Sequence, residues 1–182
     1  YPSGLLGIHF VHEAMQNPLV TGFLEKLETT EIIPTVPEIS GVSLEGYYDK
    51  IVERFSNPAI GDTIPRLCLD GSNRQPKFIL PTIAARLKAG QPVDGLALEV
   101  ALWCRYCAGT DENGNAIKID DIAAERLTHQ ALAARDNPSA WLSMHDIFGD
   151  LNESETFAGA FAAALKSLWG QGTEATLTDY LK

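Results

Sequence analysis

The sequence predicts an all-α, irregular multi-helix domain. Three observations point that way. Apolar residues recur at helical spacing in one segment after another. Most of those segments open on Ser, Asp, Asn or Pro, and several close on Gly. Strand-like alternation is almost absent, and no internal repeat or low-complexity tract stands out.

Taken in order, Gly4 to Gln16 reads as a first helix, with Leu5, Ile8, Val11, His12 and Met15 on helical spacing. Asn17-Pro18 ends it and opens a second helix to about Glu28, Pro18 sitting in the first turn. Thr29 to Gly41 reads as an extended connector because of Pro34, Pro37 and the β-branched residues around them. Ser43 is a candidate N-cap for a third helix, whose face carries Tyr47, Ile51 and Phe55. Asp62 is the expected cap of a short helix to about Leu69. Gly71 closes that helix, and Ser72 or Asn73 starts another that runs to Lys88. Pro76 is expected in its first turn and Pro81 inside it, as a kink.

Asp94 is the expected cap of a helix to Ala108 that is apolar nearly all round, hence central to the core. Thr110 to Lys118 reads as a polar loop around Asn113-Gly114. Asp120 or Asp121 starts a helix to about Arg135, and Asn137-Pro138 starts a short one. A longer helix carries Phe157, Phe161, Leu165 and Leu168 on one face to Trp169. Gly170 and Gly172 break it before a final turn or helix, Thr173 to Leu181.

The bulk numbers narrow the function classes. The 182 residues suffice for one domain with a real core. An apolar content of 45% and a mean hydropathy of -0.04 are those of a soluble globular chain. A net charge of -10 argues against a nucleic-acid surface or attraction to anionic lipid. No apolar run is long enough for a bilayer. Three cysteines, an odd number, fit a reducing cytoplasm better than a disulfide framework. The opening at Tyr1, without Met, reads as a fragment or a processed chain rather than a signal peptide.

The densest stretch is Glu53 to Pro81, with four prolines and, beyond Arg54 near its start, three cations, Arg66, Arg74 and Lys77, set among apolar residues. Short helices broken at fixed points, with cations near the breaks, can hold a polar small molecule. A guanidinium offers five donors in a fixed plane and keeps its proton, so Arg66 suits vicinal hydroxyls or a carboxylate. The plainer reading of Arg66 is an ion pair with Asp62 or Asp70, each four residues away. Arg74 near a helix start is unfavourable against the helix dipole, which asks for a specific reason. Lys77 reads as solvated.

Other constellations are weaker. Cys104 and Cys107 form a CxxC inside an apolar helix and read as buried thiols rather than a redox pair or half a zinc site. His9 and His12 share a helix face but stand in the wrong order for a zinc protease, so packing is the expected role. His145-Asp146 has no matched Ser or Cys nucleophile. Trp103, Trp141 and Trp169 read as core.

Gly7-Ile8-His9-Phe10-Val11-His12-Glu13-Ala14-Met15, Glu53-Arg54-Phe55-Ser56-Asn57-Pro58, the Asp70 to Pro81 block, and Trp103-Cys104-Arg105-Tyr106 with Gly109 and Asp111-Glu112 occur in this order. In these blocks the chain resembles the C-terminal domain of the long-chain mannitol dehydrogenase family, which includes mannitol 2-dehydrogenases, arabinitol dehydrogenases and fructuronate reductases. The resemblance implies a single helical substrate-binding domain over 1–182, of the 6-phosphogluconate dehydrogenase C-terminal-like kind. The dinucleotide-binding domain would precede it and is absent from this chain. It implies NAD or NADP as cofactor of the complete enzyme, none bound by this chain alone, and a polyol or sugar acid as substrate. The family's Lys, Asn and His catalytic segment lies upstream of the equivalent of Tyr1, so no catalytic residue and no metal is expected here. Arg66 falls where family members use an Arg to hold substrate hydroxyls. Arg74 stands where the family often has Lys, a departure that changes reach and geometry. The competing reading is a non-enzymatic helical module that binds a partner protein, drawn from the missing nucleotide motif and the apolar N-terminus.

Overall fold

The computed structural model describes residues 1–182, and every regular element in it is helical. The centre is α8, Asp94–Cys107, in which every residue except Asp94 and Glu99 is buried. A helix apolar on all sides can be satisfied only by neighbours on all sides. The chief neighbour is α12, Glu155–Leu181, which buries Phe157, Phe161, Leu165 and Leu168 along the predicted stripe. The second shell is α3, Pro18–Leu27, against α12, and α9, Ala124–Ala134, against α8. Trp103 of α8 meets Trp141 edge-on at 4.7 Å, the favourable geometry for two aromatic quadrupoles.

The first segment is two helices, not one: α1 spans Pro2–Leu5 and α2 spans Val11–Ala14. Gly7 turns left-handed between them (φ 73°), a conformation costly for any residue with a Cβ. The freed backbone pairs elsewhere. Phe10 forms an antiparallel bridge with Thr63, the Ile64 N–H donates to His9 O at 2.8 Å, and the Val11 N–H donates to Asp62 O at 3.0 Å.

The expected extended connector begins helically. A π-helical turn, Glu28–Ile32, and a 3-10 turn, Ile33–Thr35, prolong α3. They carry Glu31 inward, where it is only 5% exposed. Helix α4, Leu44–Phe55, starts as predicted: Ser43 Oγ accepts from the Gly46 N–H at 3.0 Å. None of its residues is fully buried: Ile51 and Phe55 are half-buried, Phe55 packing against the small cluster of Val11, Ala14, Val20 and Ile64, while Tyr47 is exposed.

In α5, Ile64–Cys68, the cap is Thr63 rather than Asp62. The Asp62 carboxylate is occupied otherwise, as described below. Helix α6, Gly71–Phe78, opens at Gly71, earlier than the expected Ser72 or Asn73. Asp70 makes the turn in the left-handed region (φ 58°), which Asp tolerates. Pro76 lies inside α6 and not in its first turn, and it leaves the Ser72 carbonyl without its helical donor. The single kinked helix to Lys88 is in fact two. α7 spans Leu80–Lys88, the break falls at Ile79, and Pro81 sits in α7's first turn, where its missing N–H costs nothing.

Asp94 opens α8 but gives no side-chain cap. α9 begins later than expected, after Asp121 Oδ1 has accepted the Ala123 N–H at 2.8 Å. α10, Ser139–Leu142, and α11, His145–Phe148, carry buried apolar residues into the core. Ser154 caps α12, and Gly172 (φ 85°) kinks it where Gly170 does not. The 110–118 loop holds one antiparallel bridge, Thr110 to Ala116. No helix is long and apolar enough to cross a membrane.

Candidate functional site

The site region is the corner where α1, α5 and α6 meet the end of α8. Two backbone anchors fix it. The Asp70 N–H donates to Asp120 O at 2.8 Å, and Ser72 donates through its N–H (2.8 Å) and Oγ (2.6 Å) to the Asp121 carboxylate. The turn between α5 and α6 is thus tied to a segment about 50 residues downstream.

Arg74 stands on the first turns of α6. Its Nη1 donates to Leu67 O at 3.1 Å, which satisfies a carbonyl at the end of α5. This is the specific reason that its position against the dipole asked for. Arg74 also lines a pocket of about 300 Å³ with Tyr1, Phe23, Leu27, Leu67 and Phe78. The pocket is mostly apolar, with polar groups from Arg74, Gln75, Glu28, Glu99 and Tyr1.

Sequence reasoning missed the pair behind it. Gln75 is 3% exposed, and its Nε2 donates to Glu99 Oε1 at 2.8 Å. Gln75 Oε1 and Glu99 Oε2 are out of solvent with no partner. Burial pushes the Glu99 carboxyl up to about 7, against the lowering effect of the Gln75 bond. The signal was visible: a lone carboxylate inside an otherwise apolar helix.

Arg66, on α5, is arranged differently. Its Nε and Nη2 both donate to the Asp62 carboxylate, one turn back. The Arg66 side chain is 61% exposed and that of Asp62 only 12%. The hydrogen bonds from Arg66 hold the Asp62 carboxyl below its ordinary range despite partial burial. Asp70 is not its partner; that carboxylate accepts from Asn73 Nδ2 at 2.7 Å. Arg66 is not among the walls of the Arg74 pocket, so the two guanidiniums do not share one cavity. The two residues before it, Ile64 and Pro65, line a second pocket of about 210 Å³ with Gly4, His9, Tyr106 and Lys118. Helices α1 and α5 therefore contribute wall to both pockets. Lys77 is exposed.

The remaining candidates take structural places. His9 meets the Phe10 ring edge-on at 4.7 Å, and Phe10 stacks on His12 at 5.5 Å. Cys104 and Cys107 are buried, and burial pushes both thiols well up, away from the reactive thiolate. Asp146 pairs with Arg126 at 2.7 Å rather than orienting His145. Trp169 is flanked by Arg105 (4.3 Å) and Arg135 (5.0 Å) instead of lying wholly in the core.

Residues 1–169 match the family model described as the mannitol dehydrogenase C-terminal domain. The chain belongs to the mannitol dehydrogenase family. It is 47% identical over 181 residues to a mannitol 2-dehydrogenase of Cereibacter sphaeroides, covering 100% of this chain and 38% of that protein. It is 38% identical to a mannitol 2-dehydrogenase of Phaeosphaeria nodorum, covering 99% of this chain and 31% of that one. The chain thus spans less than two-fifths of these mannitol dehydrogenases. In three dimensions it superposes on the Pseudomonas fluorescens mannitol 2-dehydrogenase, a ternary complex with NAD and D-mannitol, with a TM-score of 0.93 and 34% identity. That match covers 98% of this chain and 37% of the other. A D-sorbitol dehydrogenase in substrate-free form, at 23% identity and TM-score 0.84, shares the fold.

Proposed function

We propose that the complete protein is an NAD(P)-dependent oxidoreductase interconverting a sugar alcohol with its ketose, or an aldonate with its keto-acid. In this proposal the present chain forms the wall over the substrate. Arg74 and Arg66 donate hydrogen bonds to the guest's hydroxyls and hold the reacting carbon in register. The observation that carries the reading is Arg74, whose Nη1 is held to Leu67 O and which lines a pocket beside α1. The exposed remainder of Arg66, next to the adjoining pocket wall, supports it. So does similarity to mannitol 2-dehydrogenases, one of them in complex with NAD and D-mannitol.

The dinucleotide, when bound, supplies or accepts the hydride. In this proposal the dinucleotide is held outside residues 1–182, a reading supported by the all-helical arrangement and by the Glu28 and Glu99 carboxyl groups at the Arg74 pocket. We assign the cofactor, and the proton-abstracting Lys that the family resemblance implies, to the remainder of the polypeptide. The isolated 182 residues are expected neither to bind NAD tightly nor to oxidise mannitol.

A second reading, a partner-binding module, draws on exposed Tyr47 of α4 and on Phe78, which is 67% exposed beside the Arg74 pocket. Kinetics of the complete enzyme separate the two. Arg66→Ala and Arg74→Ala should each raise KM for the polyol about tenfold or more, the scale of a lost charge-assisted hydrogen bond. Unchanged KM in both would leave the wall without a guest.

A further inference from the structure

Asp62 has no part in the reading above, yet its surroundings are unequal in an informative way. The carboxylate is rigidly placed. Its Oδ1 accepts the Thr63 N–H at 2.8 Å, and its own carbonyl accepts the Val11 N–H at 3.0 Å. The Phe10–Thr63 bridge and the bond from Ile64 N to His9 O (2.8 Å) lock the same segment to the chain between α1 and α2. Arg66, its partner, has the longer side chain and is the exposed member, 61% against 12%. A pair this exposed on the cation's side adds little to folding. What it does accomplish is to fix a long side chain in one orientation.

We infer that Asp62 is the positioning residue for Arg66, and that its charge tilts the site toward neutral polyols over sugar acids. The inference rests on the assignment of Arg66 to substrate made above. Of the five guanidinium N–H groups, the Asp62 carboxylate takes two, on Nε and on one side of Nη2. Three remain: the outer one on Nη2 and one on Nη1 share the far edge of the guanidinium, and the second on Nη1 lies on the Cδ side. Two adjacent hydroxyls of a polyol match that edge as acceptors. Ordering this side chain before binding removes part of the entropy cost of capturing the guest. A carboxylate guest would meet the same edge with a fixed anion across the guanidinium, and like charge disfavours it.

The test uses the complete enzyme with NAD, D-mannitol as the neutral substrate and a six-carbon aldonate as the acidic one. The variants are Asp62→Ala, Asp62→Asn, Asp62→Glu, Arg66→Ala and the Asp62→Ala/Arg66→Ala pair. Asp62→Ala is expected to raise the mannitol KM about tenfold with kcat changed less than about threefold, the scale of one misplaced charge-assisted hydrogen bond. The melting temperature should move little. Asp62→Glu should restore part of the loss. Asp62→Asn, which keeps the size and an acceptor for the Thr63 N–H, should improve kcat/KM for the aldonate relative to mannitol. In the Arg66→Ala background, Asp62→Ala should do nothing further, because no guanidinium is left to place. An unchanged mannitol KM in Asp62→Ala and Asp62→Asn, with Arg66→Ala impaired, overturns the positioning role alone. The same holds if Asp62→Ala is equally harmful without Arg66. An unaffected Arg66→Ala enzyme overturns the substrate assignment on which the inference stands.

Discussion

Glu31 and Gly95 are 64 positions apart, and the Glu31 Oε1 accepts the Gly95 N–H at 2.7 Å. Oε2 accepts the Leu96 N–H at 3.0 Å. A buried carboxylate from the turn after α3 thereby caps the central helix, at the end where partial positive charge collects. Arg86 Nη1 in turn donates to the Glu31 carbonyl at 3.2 Å, so α7 joins the same knot. Glu31→Ala would leave two buried N–H groups without partners, a loss of about 1–3 kcal/mol for each. Hydrogen exchange of the complete enzyme should show the Gly95 and Leu96 amides losing protection. Unaltered exchange there would mean that the cap contributes nothing.

Glu99 makes stability depend on pH. Its carboxyl is raised by burial from an ordinary 4.5 to about 7. The folded state therefore holds a proton that the unfolded state releases between those values. The stabilisation is fully present below about pH 4.5 and is lost as pH rises through about 7. The full effect is on the order of 3 kcal/mol from the size of the shift. Glu99→Gln keeps the shape without the charge, so its melting temperature should gain on wild type between pH 5 and pH 8. Parallel curves for the two proteins would contradict the assignment.

Gly71 is needed for closeness rather than for conformation. A Cβ there would lie 2.5 Å from Trp103 Nε1 and 3.1 Å from the Tyr1 hydroxyl. Gly71→Ala should cost about 1–3 kcal/mol by forcing α6 away from α8. Because Arg74 rides on α6, the polyol KM should rise in the same variant. A stable Gly71→Ala enzyme with an unchanged KM would show that this packing does not set the position of Arg74.

The CxxC pair should be inert in the folded protein. A thiol reagent at pH 8 should leave Cys104 and Cys107 unmodified until denaturant is added, because burial disfavours both thiolates. Peptide mass spectrometry before and after unfolding reads this directly. Rapid labelling of Cys104 in the native enzyme would reopen a redox role.

Much of the fold was legible because it rests on local patterns. The apolar run around Trp103 announced α8, and Ser43 announced α4 through a cap that the structure repeats. What escaped the sequence depends on distant partners. Nothing near Glu31 says that it will cap α8, and nothing near Gly7 says that Thr63 will pair with the residues just after it. Asp62 looked like an N-cap because a short acidic residue before a helix usually is one. In the structure Thr63 Oγ1 takes the Arg66 N–H, and the Asp62 carboxylate accepts instead from the Thr63 N–H and the Arg66 guanidinium. At the site, Arg66 and Arg74 were visible as cations at helix breaks. Glu99 left a trace as the one carboxylate inside an apolar helix, but Gln75 left none, since its importance comes from burial and a missing partner.

The most direct measurement is a crystal structure of the complete enzyme with NAD and a polyol bound. It should place a substrate hydroxyl about 3 Å from the free edge of Arg66 and another at similar distance from Arg74. A polyol bound beyond hydrogen-bond reach of both guanidiniums would contradict the account.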